Sequence, residues 1–269
     1  MIVYPVSFIK AAGGGFDPDA QAFITAAGLT NPVQQNAINT LVLSLKSNSL
    51  WSKLLIFYPF VGATSTSCSY NLINTATYQM TWTGSVNYTA AGIQSSSGGY
   101  GNTGWAPSST LSIWQKGSYG FYLQNDFTIA LYDSPMGSVD GSDNRMTAFS
   151  IGSGTSLYDW GTSGNLLRYG PGVGFQPGNY VVWTTGAADS ITVRTSKNAS
   201  NIAYTIGTVS VNKAIASTAN MTILKRTDGY PWNGTISSSW IGYQISDAES
   251  ATLAGIINTY QTALSRNTY

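Results

Sequence analysis

From about Leu55 to Gln244 the chain is written in short runs of alternating apolar and polar residues, and this limits the open folds more than any other feature. Tyr119 to Leu123, Phe127 to Tyr132, Tyr180 to Thr184, Ser190 to Thr195, Ala203 to Ile206, Met221 to Leu224 and Ser238 to Gln244 read as strands separated by turn residues. A spacing of about ten residues between such runs marks a sandwich or barrel. The near absence of helical pattern between them excludes a parallel α/β sheet. The pattern predicts an all-β fold: a two-sheet antiparallel jelly-roll sandwich.

Helical passages bracket the strands. In front, helical reading runs from Asp17 towards Phe60, with Asp17 and Asn31 each standing before a proline, as an N-cap stands before Pro at the first helical position. Gly28 supplies a stop. Val33, Ala37, Leu41 and Leu45 recur every fourth position with Ile38 and Val42 beside them, so one face must be buried. At the back, Ser246-Asp247-Ala248-Glu249 spells a capping box, followed by the stripe Leu253, Ile256, Ile257, Tyr260 and Leu264. These helices are expected against an edge or face of the sandwich. The organisation is therefore an N-terminal arm (1–16), a helical segment (17–54) and a jelly-roll domain (55–269) that includes a C-terminal helix over 247–266.

The arm carries Ile2, Val3, Tyr4, Val6, Phe8 and Ile9 ahead of the hinge Ala11-Ala12-Gly13-Gly14-Gly15. An apolar strand on such a hinge is expected to dock on a neighbouring protein by strand addition, the alternative being that it lies along its own sheet.

Absences narrow the chemistry. The chain has no histidine, which removes Ser-His-Asp triads, Cys-His pairs and HExxH zinc sites. Cys68 is the one cysteine, so neither an internal disulfide nor a cysteine-based metal cluster can form, and it reads as a small buried thiol. Lys and Arg number 12 against 11 Asp and Glu, which leaves no basic footprint for nucleic acid. The first ten residues lack a basic n-region, and no run approaches about 18 apolar residues, so neither a signal peptide nor membrane insertion is expected. Charged residues make up 9% of the chain, far below the roughly 25% of an average domain. Solubility must then rest on hydroxyls and amides.

The front motif DPDAQAFITAAGLTNPVQQNAINTLVLSLK with the following LWSKLLIFYPFVG, the run Gly98-Gly99-Tyr100-Gly101-Asn102-Thr103, and the closing ISDAESATLAGIINTYQTALSR carry a likeness that spans the chain from Asp17 onward. With these motifs the chain resembles bacteriophage virion proteins that carry a concanavalin A-like (lectin/glucanase, laminin-G-like) jelly-roll domain. Ile191 to Arg194 and Lys197 to Ser200 resemble the strand and hairpin turn of laminin-G-like domains, without the usual glycine. The resemblance implies a non-enzymatic structural protein of a tailed phage, in a head decoration, fibre or tail component. It would be assembled in the host cytoplasm, sit among other virion proteins as a homo-oligomer, and hold host or environmental glycans. The alternatives are a cementing protein with no ligand and a glycan hydrolase, since glucanases share the fold and need only two carboxylic acids. The single glutamate, Glu249, is committed to a helix cap, and half of the ten aspartates sit where caps or turns want them: Asp17, Asp19 and Asp247 at helix starts, Asp189 and Asp228 in turns.

Sugar recognition by a neutral protein needs aromatic faces and amides. Trp105, after Gly101-Asn102-Thr103-Gly104, and Tyr230, Trp232 and Asn233 in Tyr230-Pro231-Trp232-Asn233-Gly234 are the candidate exposed platform, against loop anchoring or a subunit contact. Trp51, Trp82, Trp183 and Trp240 fall in helix or strand patterns and read as core. No cofactor is expected except calcium: lectins of this general fold often bind it with loop oxygens, and Asp140, Asp143 and Asn144 are the candidate ligands, against a plain solvated turn.

Overall fold

The computed structural model describes residues 15–124, 133–151, 155–162, 165–169, 174–185, 190–197, 200–205 and 216–268. The apolar arm residues Ile2 to Ile9, the strand expected at Phe127 to Tyr132 and the turn expected at Asp189 lie outside them.

The helix signals work as written. Asp17 caps α1 (Pro18–Ala26) by accepting from the Asp19 amide, and Asn31 caps α2 (Pro32–Ser47) by accepting from the Val33 amide. Gly28 ends α1 at φ +62°, a backbone angle that favours glycine. The helical passage ends sooner than expected, at Ser47. After one 3-10 turn, Leu54–Tyr58 is a strand, β1, because LLIFY is a short apolar run rich in β-formers and lacks a helical stripe. Val33 is 59% exposed, so the buried stripe begins at Ala37. The back helix, α4 (Asp247–Ala263), opens with both halves of its capping box formed: the Glu249 amide donates to Ser246 Oγ and the Ser246 amide to Glu249 Oε2.

The described strands are β2 (Thr81–Thr89), β3 (Gly92–Asn102), β4 (Gly117–Leu123), β5 (Met136–Val139), β6 (Arg145–Ile151), β7 (Thr155–Thr162), β8 (Asn165–Tyr169), β9 (Gly178–Thr185), β10 (Ser190–Lys197), β11 (Ser200–Thr205), β12 (Thr222–Ile223) and β13 (Thr235–Tyr243). A short helix, α3 (Leu111–Gln115), precedes β4. Every pairing is antiparallel. The front sheet runs β1-β13-β4-β9-β10-β11, and the back sheet runs β2-β3-β12-β5-β6-β7-β8. They join at one corner, where Thr235 and Ile236 of β13 pair with Gln94 and Ile93 of β3. This is the expected jelly-roll sandwich with helices packed against it. β10 and β11 form the expected hairpin, with Lys197 paired to Ser200.

Among the described side chains, β13, β4 and β9 of the front sheet are buried on both faces. Tyr119 and Phe121 of β4, Tyr180 and Val182 of β9 and Ile241 of β13 meet Met136, Met146, Tyr158, Trp160 and Ile223 of the back sheet. Between those positions, Tyr122, Val181, Trp183 and Trp240 point the other way, into Leu41, Val42 and Leu45 of α2 and Leu253, Ile257 and Tyr260 of α4. A strand covered on both sides reads as a nearly continuous apolar run, which is why the sequence there is NYVVWTT and LLIFY. Gly120 is needed in β4 because the Trp240 indole lies across it: a Cβ there would sit 2.1 Å from Trp240 Cζ2 and 2.2 Å from the Tyr180 carbonyl oxygen.

One buried cation ties the layers together. Arg266, just past α4, is 5% exposed. Its Nε donates to Gln261 Oε1 at 2.6 Å, and its terminal nitrogens donate to the carbonyls of Pro59 and Phe60 at 2.8 Å each and of Ser237 at 3.0 Å. Burial pushes this guanidinium below its ordinary range, with Tyr260 among the groups opposing the shift.

Candidate functional site

The helices hide one face of the front sheet, and the joining of the sheets hides the interior. Among the described residues, β2 and the β3 positions paired to it form an open face, and β12, buried at both of its positions, closes one end of it. Trp82, Val86 and Tyr88 of β2 are half-buried against the core, while Thr81, Thr83, Ser85, Asn87 and Thr89 between them are exposed. In β3, Ile93, Ser95 and Gly101 are buried, and Gln94, Ser96, Tyr100 and Asn102 are half-buried partners of the exposed β2 row, Tyr100 also packing against the edge of the core. The register sets Thr81 beside Asn102, Thr83 beside Tyr100, Ser85 beside Ser96 and Asn87 beside Gln94. The run Gly98 to Asn102, which reads like a turn, lies inside β3. An irregularity opposite Gly84 accommodates its glycines. Neither β2 nor β3 carries a charged residue, so the face is one of hydroxyls and amides with a single ring, Tyr100.

At the end of this face, a hollow of about 150 Å³ is lined by Tyr100, Asn102, Asn220, Thr222, Lys225, Arg226 and Thr227. That is below the roughly 300–1,000 Å³ of sites that engulf a whole drug-sized ligand, so it can take one end of a larger molecule. Lys225 Nζ stands 4.6 Å from the Tyr100 ring centroid, within cation–π range. Arg226 is buried, with its guanidinium 4.8 Å from the Phe149 ring and 4.7 Å from the Tyr230 ring, and it pairs with Asp228.

The platform residues expected from sequence separate. Trp105 and Trp232 are both fully buried, which corrects the expectation of exposed rings. The Trp105 Nε1 donates to Thr110 Oγ1 at 3.2 Å, and Trp232 meets Phe175 edge-on at 5.3 Å. Both residues follow turn-like sequence, but the turns swing the indoles into the sandwich, where a large ring buries most area. Tyr230 stays 37% exposed, stacked on Arg226. Asn233 is exposed, and its carbonyl accepts from Gln94 Nε2 at 2.7 Å, which ties its loop to the β3 face. Of the tryptophans read as core, Trp183 and Trp240 are buried, while Trp51 and Trp82 are half-buried. Lys225, Tyr100 and Asn102 went unsingled in sequence; the alternation of Thr81 to Thr89 was the signal that could have found their face.

The loop at 140–144 does not present a cation site. Asp140 Oδ1 accepts from the amides of Ser142 and Asn144, both at 3.0 Å, and Oδ2 from Asn144 Nδ2 at 2.9 Å and the Thr218 amide at 3.1 Å. Burial alone would raise this carboxyl, but those donors hold it below its ordinary range. Asp143 pairs with Arg145 at 2.6 Å. Oxygens already turned to N–H donors, beside a guanidinium, do not fit calcium, and no group of three acidic, His or Cys side chains gathers among the described residues. Other carboxylates are similarly engaged: Asp17 and Asp19 with Lys46, Asp159 with Arg145, and Glu249 with Lys53.

The fold and its open face define a lectin-like β-sandwich. No protein-family model matches the sequence, and no curated protein does either. Among solved structures, the chain is similar to domain 4 of AbnA, a GH43 extracellular arabinanase from Geobacillus stearothermophilus in complex with arabinotriose, with a TM-score of 0.52 and 13% identity over 75% of this chain and 98% of that one. It is similar also to a mutant of Trypanosoma rangeli sialidase displaying trans-sialidase activity (TM-score 0.55, 10% identity, 84% of this chain and 39% of that one). A third likeness is to the binding domain of botulinum neurotoxin DC in complex with rat synaptotagmin II (TM-score 0.54, 12% identity, 80% of this chain and 52% of that one). The chain thus spans less than two thirds of the sialidase and of the toxin domain. At these identities the shared property is the fold.

Proposed function

We propose that this protein is a non-enzymatic structural component of a tailed bacteriophage virion whose jelly roll holds glycans on the outward face of β2 and β3. The observation that carries the glycan reading is that face: an uncharged row of exposed β2 hydroxyls and amides beside half-buried β3 partners that include the Tyr100 ring, ending in a polar hollow. Hydroxyl-rich ligands need this combination, with amides for orientation and a ring for the apolar side of a pyranose. A binding rather than hydrolytic role is supported by the lack of histidine and, among the described residues, by the engagement of the carboxylates named above with cations or amides, which leaves none of those carboxylates poised as an acid or base. We take the role to need no cofactor. The virion assignment, with other virion proteins and copies of itself as partners, rests on the motif resemblance described for the sequence.

A glycan array probed with the purified chain and with Tyr100→Ala tests the first part. Binding that is lost in the variant, with an unchanged melting temperature, is the expected result; binding that survives moves the site elsewhere. Immunogold labelling of intact particles tests the second: label on the head or tail is expected, and its absence removes the virion reading. Silence on the array combined with labelled particles favours the cementing role.

A further inference from the structure

The hollow where β3 meets β12 has no carboxylate in its lining, and it brings Lys225, Asn102 and Asn220 together with Tyr100, over whose ring the Lys225 ammonium stands. Other polar groups there are spent on the fold. Thr222 Oγ1 lies 2.9 Å from the Gly137 carbonyl and 2.6 Å from that of Lys225, and Thr227 Oγ1 donates to the Val139 carbonyl while accepting from its amide. Arg226 is turned to Asp228. Asn102 uses its Oδ1 to accept from the Gly104 amide, which leaves its nitrogen as the free end. Among the described residues no acid pairs with Lys225, so a new anion would break no ion pair on arriving.

We infer that this hollow takes the negative group of an acidic sugar, a carboxylate or a sulfate, with the neutral part of the same ring against Tyr100. This rests on the glycan reading above and narrows it. A carboxylate or sulfate has lone pairs enough for three N–H donors, and a hydrogen bond from an ammonium to an anion is about twice as strong as a neutral one. Because β2 and β3 carry no charge and Arg226 is paired with Asp228, Lys225 sets the sign of the face.

The test uses the full chain on an array of matched cores carried as neutral, sialylated, uronate-containing and sulfated glycans, followed by calorimetry on the strongest acidic ligand and its neutral counterpart. The acidic member should bind about tenfold tighter or more, Lys225→Met should abolish that preference, and Lys225→Arg should keep most of it. Raising salt should weaken the acidic ligand more than the neutral one. The sialylated, uronate and sulfated arms separate the two anions. Equal binding of acidic and neutral members, or a preference that survives in Lys225→Met, overturns this inference. If neutral glycans bind through Tyr100 without any acidic preference, the inference falls and the glycan reading stands; if no glycan binds, both fall.

Discussion

Replacing Arg266 by methionine should remove the tie between the helical layer and the sandwich. The guanidinium reaches the chain after β1 at Pro59 and Phe60, β13 at Ser237 and α4 at Gln261, by hydrogen bonds of 2.6 to 3.0 Å in a site 5% exposed. Methionine keeps much of the apolar volume but donates nothing, so three carbonyls and one side-chain amide oxygen lose a charged donor, the Pro59 carbonyl keeping its bond from the Tyr260 hydroxyl. A buried acceptor left alone costs about 1–3 kcal/mol, and the relief of burying no cation offsets part of the sum. The expected net loss is about 3–5 kcal/mol, which for a chain of this size lowers the melting temperature by on the order of 10 °C. Urea unfolding followed by tryptophan fluorescence reads it directly, with the slope unchanged if only the folded state is affected. Arg266→Lys should recover only part, because one ammonium cannot reach carbonyls that a planar fork spans. A methionine variant within about 1 kcal/mol of the parent would refute the reasoning.

Gly120→Ala should destabilise by about 3 kcal/mol, since its methyl meets a backbone carbonyl that cannot swing away; a melting curve like the parent's would show that β4 and β9 can part. Cys68 is buried and burial raises its thiol to about 11, so a disulfide reagent at pH 8 should leave it untouched in the native protein and titrate one thiol after unfolding. Glu249 is held below its ordinary range by the hydrogen bond from Lys53, with the Ser246 amide adding to it against a burial effect of opposite sign. A carboxylate depressed in the folded state stabilises above its unfolded pKa and loses that contribution as pH falls through its folded value. Glu249→Gln should therefore cost roughly 0.5 kcal/mol near pH 7, and the gap to the parent should close as pH drops below about 4 in a pH series of melts.

Local chemistry made the ends of the fold legible. Asp17-Pro18, Asn31-Pro32 and the Ser246 to Glu249 box name helix starts because each side chain satisfies an amide within a few residues, and all of them form. The strands with both faces covered were legible too, since Tyr180 to Trp183 can only be a buried run. β2 and β3 were harder. Their inward row is interrupted by Gly84, Ser95 and Gly101, so the period-2 pattern is faint and the glycines read as turns. The candidate face was missed for the same reason that Trp105 and Trp232 were misplaced. Sequence shows that a ring stands next to a turn, but not which way the turn swings it, and burial of an indole decides that only once both sheets are present.

A crystal structure of the full chain soaked with an array-positive oligosaccharide tests the central claim most directly. The account predicts a sugar ring lying within van der Waals contact of Tyr100, on the outer face of β2 and β3. A sugar bound on any other surface, with this face bare, would contradict it.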